Sequence, residues 1–561
     1  MDSQRPFLYL SLVFVIFLIY QAWVTDHAPV LQETASQTQA AAFGDSEASV
    51  DLPDSSAPAS LANPAAAAPV QEVSAPGQTK PATQVMIKTD VIEAVISTRG
   101  GDIVDIRLPT YPISLEQKDQ PYQLLHQSGA PYIAQSGLLH EKVNGQDQRD
   151  RAPTHYADYS TPQTRYQLAD GQDELRVPLT WTGPDGISVT KTYVFHRGDF
   201  TIGLDYKVNN ASTTDWVASQ YRQLRHGPVD SSVGLGMQTF TGAAYFTDKF
   251  HKLAFKDMLE EPVNQQTTGG WAAVIQHYFF SAWLSASTDE PNKIYSKVIT
   301  APGQTQYLIG MRSAPVTVAA GTSGVLHSRF YAGPKRQADL AEVAPGLELT
   351  VDYGIFTIFS KPLFWLLSKI HGLIGNWGWA IILLTILIKA VFYKLSEASY
   401  RSMAKMRKVA PKLKSLKERY GDDKARYQQA MMEFYKTEKI NPVGGCLPIV
   451  IQIPVFIALY WMLQESVELR QAPWMFWIHD LSIKDPLYIL PLLMGISMFI
   501  QQKLNPPQPD PVMQKAMMAM PIIFTVFFAF FPAGLVLYWI TNNLLSISQQ
   551  WYITRKIEQA G

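Results

Sequence analysis

Apolar runs the length of membrane helices, joined by loops of unequal charge, constrain this chain more than any other feature of its sequence. Five crowd the last third: Trp377 to Tyr393, Leu447 to Leu463, Leu487 to Ile500, Ala516 to Phe531 and Leu535 to Tyr552. Each approaches the roughly 20 apolar residues that a helix needs to cross about 30 Å of hydrocarbon. A sixth run, Phe7 to Val24, ends in Trp23, Asp26 and His27 with no small-x-small cleavage site, so an uncleaved anchor is expected there. Between the last two runs, Pro532, Ala533 and Gly534 suit a tight hairpin at a membrane face. The fourth and fifth spans are short, which would thin the bilayer around them.

Orientation follows from the loops. Between Ser396 and Gly445 lie twelve Lys or Arg against six acidic residues, a bias that places this loop in the cytoplasm. The loop from Ser466 to Asp485 carries only Arg470 and Lys484 against three acids, and its Trp474 and Trp477 suit an outer interfacial belt. Both termini are then cytoplasmic, and everything between the first and second spans lies outside. Whole-chain charge, 47 Lys or Arg against 48 Asp or Glu, points to no nucleic acid; no specific DNA partner is expected. The lone Cys446 excludes an intrachain disulfide, so an outer domain must rest on its own core.

The expected architecture is an α-helical membrane bundle of six transmembrane helices, with a large extracytoplasmic all-β sandwich domain and a cytoplasmic helical hairpin. Residues 1–25 form the anchor. An Ala, Pro and Ser-rich tether over 26–84 buries too little apolar surface to fold. Over 85–350 short alternating segments take over: in FTIGLDYKV, Phe200, Ile202, Leu204, Tyr206 and Val208 share one face. Gly183-Pro184-Asp185-Gly186 and Arg197-Gly198-Asp199 supply turns on either side of Ile187 to His196. No acid or His cluster converges in this stretch, so a scaffold or docking role is expected rather than a sugar or peptide site. Ile355 to His371, interrupted by Lys361 and Lys369, reads as an interfacial amphipathic helix (355–372) rather than the start of one long second span. The remaining boundaries are TM2 373–395, hairpin 396–445, TM3 446–465, outer loop 466–485, TM4 486–503, cytoplasmic loop 504–515, TM5 516–532, TM6 534–553 and tail 554–561.

Lys389 sits inside the second span, where a cation costs about 2.5–3.5 kcal/mol on insertion scales and needs an offset. Thr385 lies one turn away on the same face. Gln452 in the third span and Thr541, Asn542, Asn543 and Ser546 in the sixth add polar groups; together they suit a hydrated groove, where single cases would only snorkel or bond between helices. In the cytoplasmic loop Met403, Met406, Ala410, Leu413 and Leu416 recur at helical spacing, as do Tyr427, Met431 and Phe434. Gly421 is expected to end the first helix and Asp422 or Asp423 to cap the second, giving a basic helical hairpin kinked near Pro411. Its cations Arg401, Lys405, Arg407, Lys408, Lys412 and Arg419 form a surface for anionic lipid, ribosomal RNA or a targeting factor. Methionines at 403, 406, 431, 432, 513, 517, 518 and 520 are flexible enough to adapt to varied apolar chains, although ordinary packing accounts for any one of them.

At these residues the chain resembles the Gram-negative YidC branch of the YidC/Oxa/Alb insertases. The motifs are SMAKMRKVAPKLKSLKERYGDDKARYQQAMMEFYKTEKINPVGGCLP, VELRQAPWMFWIHDLSIKDPLYILP and FPAGLVLYWITNNLLSISQQ, with the anchor and outer domain in the same order. The resemblance implies a five-span core plus the extra anchor, a β-supersandwich outside, and a groove open to cytoplasm and lipid but closed outside. It implies an insertase and chaperone for nascent membrane proteins, working alone or with the Sec translocon and its accessory subunits, with ribosome or targeting factors at the cytoplasmic face and no cofactor. Where the family usually has a groove arginine this sequence has Lys389, which keeps the charge and loses the bidentate fork. Thr385 and Gln452 match polar groove positions, and Trp539 stands where an aromatic is implicated in substrate contact. Two other classes use the same buried polar residues: a channel or transporter for a small polar solute, against which no inverted repeat appears, and an intramembrane peptidase, for which no H-E-x-x-H or G-x-S-x-G is present.

Overall fold

The computed structural model describes residues 82–141, 149–228, 239–301, 304–420, 423–437, 447–505 and 511–559. The N-terminal anchor, the tether up to residue 81, and Gly421, Asp422 and Cys446 lie outside the described residues. The rest forms two compact units, the first holding residues 82–364 and 458–483, the second 365–457 and 484–559.

The first unit is built on two antiparallel-dominated sheets. Local sequence explains the hairpins. Asp185 and Gly186 adopt φ of 57° and 78°, the left-handed pair that a two-strand turn needs, and Gly183 N–H closes it on Ile187 O at 2.9 Å. Thr182 then pairs with Ser188, and Glu174–Thr182 runs against Ile187–His196 over its full length. At the second turn Gly198 takes φ 71° and Asp199 Oδ1 accepts from Thr201 N–H, returning the chain as Thr201–Asn210. That strand alternates as expected, with Ile202, Leu204, Tyr206 and Val208 fully buried.

Eight strands make one sheet, in the order Phe250–Leu253, Gly242–Phe246, Trp271–Ile275, Phe279–Leu284, Ser323–Pro334, Thr201–Asn210, Ile187–His196, Glu174–Thr182. The other has eleven, centred on Trp216–His226, which pairs with Tyr132–His140 on one side and Gln304–Ser313 on the other. Both central strands are buried along almost their whole length, and their interior carries polar side chains: Gln135, Ser136, Gln220, Arg222 and Gln223. These are bonded. Gln223 Nε2 donates to Gln135 Oε1, Gln220 Nε2 to Ser328 Oγ, Arg222 to Asn292 Oδ1 at 2.6 Å, and Tyr206 to Ser136 Oγ. Lys191 also lies fully buried, donating to Gly100 O and Ser136 O at 2.9 and 3.1 Å. Gly100 and Gly101, at φ 73° and 61°, make the tight turn that aims their carbonyls at Lys191 and Tyr193; a Cβ on Gly100 would come within 2.2 Å of His155 O.

A short helix, α1 (Gln337–Val343), follows the last strand, and α2 (Thr357–Ile374) begins soon after. The first unit also takes in residues 458–483, beyond what a connecting loop between spans would need. Arg470 donates to Pro112 O and Ile113 O while its guanidinium lies 5.6 Å from the Phe279 ring, and Gln471 Nε2 donates to Pro112 O. Gln337 N–H reaches Glu468 Oε1, His277 Nε2 lies 2.9 Å from Gln464 O, and buried Lys335 and Glu465 stand 3.7 Å apart.

The second unit is helical: α3 (Trp377–Val391), α4 (Tyr393–Tyr420), α5 (Lys424–Thr437), most of α6 (Leu447–Glu465), α7 (Ile489–Leu504), α8 (Pro511–Phe528) and α9 (Ala533–Gln559). Between α2 and α3, Gly375 takes φ 73° and Asn376 Oδ1 accepts from Trp379 N–H, so α2 and α3 are separate helices. The kink expected at Pro411 falls elsewhere. α4 runs through Pro411, and a 67° bend separates α3 from α4 at Phe392, whose φ of −88° and ψ of 9° leave the helix. No single helix among the described residues is long and apolar enough to cross a membrane alone; α3 and the first part of α4 are so together, and α7 and α8 are shorter apolar helices.

Candidate functional site

α9 is the organising element of the helical unit, packing against α3, α4 and α7, while α8 packs on α7. Its tight start follows from Pro532, whose carbonyl accepts from both Leu535 and Val536 N–H. The helix then buries Leu535, Val536, Leu537 and Tyr538 before it reaches its polar stretch. α7 and α8 approach closely where Gly495 faces Thr525: a Cβ there would come within 1.9 Å of the Thr525 hydroxyl.

Two cross-helix bonds join the polar residues into a seam. Lys389 Nζ on α3 donates to Ser546 Oγ on α9 at 2.7 Å, and Gln452 Nε2 on α6 donates to Asn542 Oδ1 on α9, also at 2.7 Å. Asn542 and Ser546 lie one turn apart on one face, and Ser546 Oγ in turn donates to Asn542 O. Lys389 therefore feeds a short chain of polar groups running along α9. It has no carboxylate partner among the described residues.

The other expected residues divide. Thr385 is buried and its hydroxyl donates to Ile381 O of its own helix, so it makes α3 self-sufficient at that level. Trp539 packs edge-on against Phe456 of α6 at 4.6 Å and against Phe528 of α8 at 5.3 Å, with its indole N–H buried and unpartnered among the described residues. Asn543 is not brought to the seam: about 100° around the helix from Asn542, it donates to Ser497 Oγ on α7. Two residues were missed by sequence reasoning. Tyr400 on α4 lies beside Ser546, and Tyr538 beside Gln452. As aromatic side chains at ordinary helical positions they carry no signal comparable to a cation in an apolar run.

The hairpin of α4 and α5 packs Val409 and Leu413 against Met406, Met431, Phe434 and Tyr435. Asp423 Oδ1 accepts from Ala425 and Arg426 N–H and caps α5. The apolar contacts turn the cations out: Arg401, Lys405, Arg407, Lys408, Lys412 and Arg419 are all exposed, with Arg401 paired to Glu397 at 2.6 Å. Around the helical unit large apolar side chains also stay exposed, among them Leu383, Ile386, Leu387 and Val391 on α3, Leu492, Ile496 and Phe499 on α7, and Ile522, Ile523, Val526 and Phe527 on α8. A surface so apolar matches hydrocarbon rather than water.

Family models match along nearly the whole described chain: the YidC periplasmic domain over residues 84–366 and the 60Kd inner membrane protein over residues 369–560. A relative from Thioalkalivibrio sulfidiphilus named membrane protein insertase YidC is 55% identical across all of both chains. The chain belongs to the YidC family. A second member, from Methylococcus capsulatus and bearing the same name, is 48% identical over all of this chain and 99% of its own. A crystal structure described as an active YidC insertase with its first transmembrane domain resolved covers 84% of this chain and 93% of its own, at 16% identity and a TM-score of 0.39. As a YidC family member with both regions present, the chain is an inner membrane protein with a large all-β periplasmic domain and a helical C-terminal region.

Proposed function

We propose that this chain inserts proteins into the inner membrane, and that the seam of Lys389, Ser546, Asn542 and Gln452 lines the path its clients take. It is an insertase rather than an enzyme, and nascent membrane proteins are its substrates. The name shared by its full-length relatives supports the function. One observation carries the assignment to the seam: a lysine within an apolar helix, held by a single hydroxyl and by no carboxylate among the described residues. An unneutralised cation at that depth offers an incoming acidic segment the charge partner that lipid lacks. Thr385 and Trp539 flank this path, whereas Asn543 serves it indirectly by tying α9 to α7.

In this reading the chain crosses the membrane six times with both termini in the cytoplasm, the spans being the N-terminal anchor and those based on α3, α6, α7, α8 and α9. The interfacial helix α2 lies along the outer face, and the exposed cations of the α4–α5 hairpin meet the ribosome, a targeting factor or anionic lipid. The Sec translocon and its accessory subunits receive larger clients alongside it. A client's outer end enters the seam while its apolar part moves into lipid, which supplies about 0.8 kcal/mol per buried CH₂. No cofactor takes part.

Purified protein in liposomes, given a small phage coat-like protein and nothing else, is expected to insert it. Solute flux through client-free vesicles with no insertion would mark the chain as a channel instead.

A further inference from the structure

The segment 466–483 is folded tightly, yet Phe476, the most exposed of its large apolar side chains, is left out of that packing. Leu469, Ala472, Ile478 and Leu481 are buried, Leu481 N–H bonds Ala472 O, and Asp480 Oδ1 accepts from both the amide and hydroxyl of Ser482. Within this frame Trp474 N–H closes on Ile478 O and Ile478 N–H on Met475 O, making a tight turn with Phe476 at its tip. Phe476 takes φ 53°, a left-handed conformation that a β-carbon disfavours, and its side chain is 74% exposed. Backbone strain and exposure of a large aromatic are both unfavourable, and the one ring contact that Phe476 makes among the described residues, with its neighbour Trp477, leaves most of its side chain bare.

We propose that Phe476 is a lipid-inserting finger that dips into the outer leaflet of the bilayer. Its surroundings favour acyl chains over a protein. From Gln471 to Ile478 no residue carries a formal charge, and the first titratable side chain after the tip is His479. The tip of the turn bears a single strongly exposed ring, with Trp477 stacked on it at 6.1 Å, and one bare ring suits a fluid apolar phase better than a complementary protein surface. The segment also joins α6 to α7, with Phe476 eleven residues past Glu465 and thirteen before Ile489. On the topology given under Proposed function, on which this inference rests, those ends stand at the outer face. The sequence pointed to Trp474 and Trp477 as the interfacial belt; the folded turn keeps both partly buried and presents the phenylalanine between them.

The test uses the full chain in vesicles of phosphatidylethanolamine and phosphatidylglycerol. In a Cys446→Ser background, a nitroxide on Phe476→Cys is expected to collide more with oxygen than with a water-soluble nickel chelate. The reverse ratio overturns the proposal, as does a probe that is wet until client is added and then shielded, which would make the tip a client contact. Phe476→Gly supplies a second arm, because glycine accepts the turn without strain. It is expected to insert the coat-like client roughly threefold more slowly, the scale of partial burial of one aromatic ring, with Phe476→Trp restoring the rate. Wild-type rates in Phe476→Gly would count against the finger. Failure of the unmodified chain to insert would instead overturn the proposed function, so the two failures are distinguishable.

Discussion

Lys191 in the β unit and Lys389 in the helical unit are both drawn out of bulk water, and their surroundings differ in a way that separates structure from function. Lys191 in the β unit is 0% exposed, bonds two carbonyls, and sits 5.4 to 5.8 Å from the centres of the Tyr159, Tyr193 and Tyr206 rings. Asp102 lies near enough to favour its charge, but burial dominates and pulls the ammonium down to about 7. Lys389 in the helical unit is only partly buried and has one hydroxyl. An amine bonded to two carbonyls deep inside a core ties that core together; a partly buried cation with donors to spare is available to something that arrives later.

This contrast breaks if Lys191 proves dispensable. Lys191→Ala is expected to lower the stability of the β unit by about 2–5 kcal/mol, since it opens a cavity and leaves Gly100 O and Ser136 O without their buried donor; thermal unfolding of the purified chain measures it. The corresponding change at the other lysine should spare the fold and strike activity. Lys389→Glu is expected to slow insertion of clients with acidic outer segments about tenfold, roughly 1.4 kcal/mol, and neutral ones far less. Equal rates for both clients would remove the electrostatic role.

The pH dependence sharpens the comparison further. Because the Lys191 ammonium is held below its ordinary value of 10.5, its contribution to stability is present above that value and lost as pH falls toward about 7. Stability should therefore rise with pH across this window, by at most about 1.4 kcal/mol per unit, and Lys191→Met should flatten the slope. The smallest effects lie in the seam. A double-mutant cycle on Gln452 and Asn542 is expected to give about 0.6 kcal/mol, typical of hydrogen bonds between membrane helices. Asn543→Ala should cost a similar amount through Ser497 while leaving the acidic-client preference intact, because it lies off the seam.

Much of the local structure was legible. The turns around Ile187–His196, the alternation of Thr201–Asn210 and the cap at Asp423 all follow from short-range rules, and each formed where residue type alone indicated. The face shared by Asn542 and Ser546 follows from helical periodicity in the same way. Strand order did not. Pairing Trp216–His226 with both Tyr132–His140 and Gln304–Ser313 joins segments about 80 residues apart, and period-two patterning says which face is buried but not which strand lies alongside. The attachment of residues 466–483 to the β unit was equally hidden, because Arg470 bonds backbone carbonyls, which carry no side-chain signature.

Sequence by itself determined which segments suit hydrocarbon, where positive charge collects, and that Lys389 needs an explanation, because hydropathy, charge and helical spacing are properties of consecutive residues. Only the tertiary structure decided that Ser546 is the partner of Lys389, that Asn543 faces α7 instead, and that Phe476 rather than a tryptophan tips the turn between α6 and α7. Those outcomes depend on the rotation of one helix against another and on the sign of a single φ angle, and neither is encoded within any one segment.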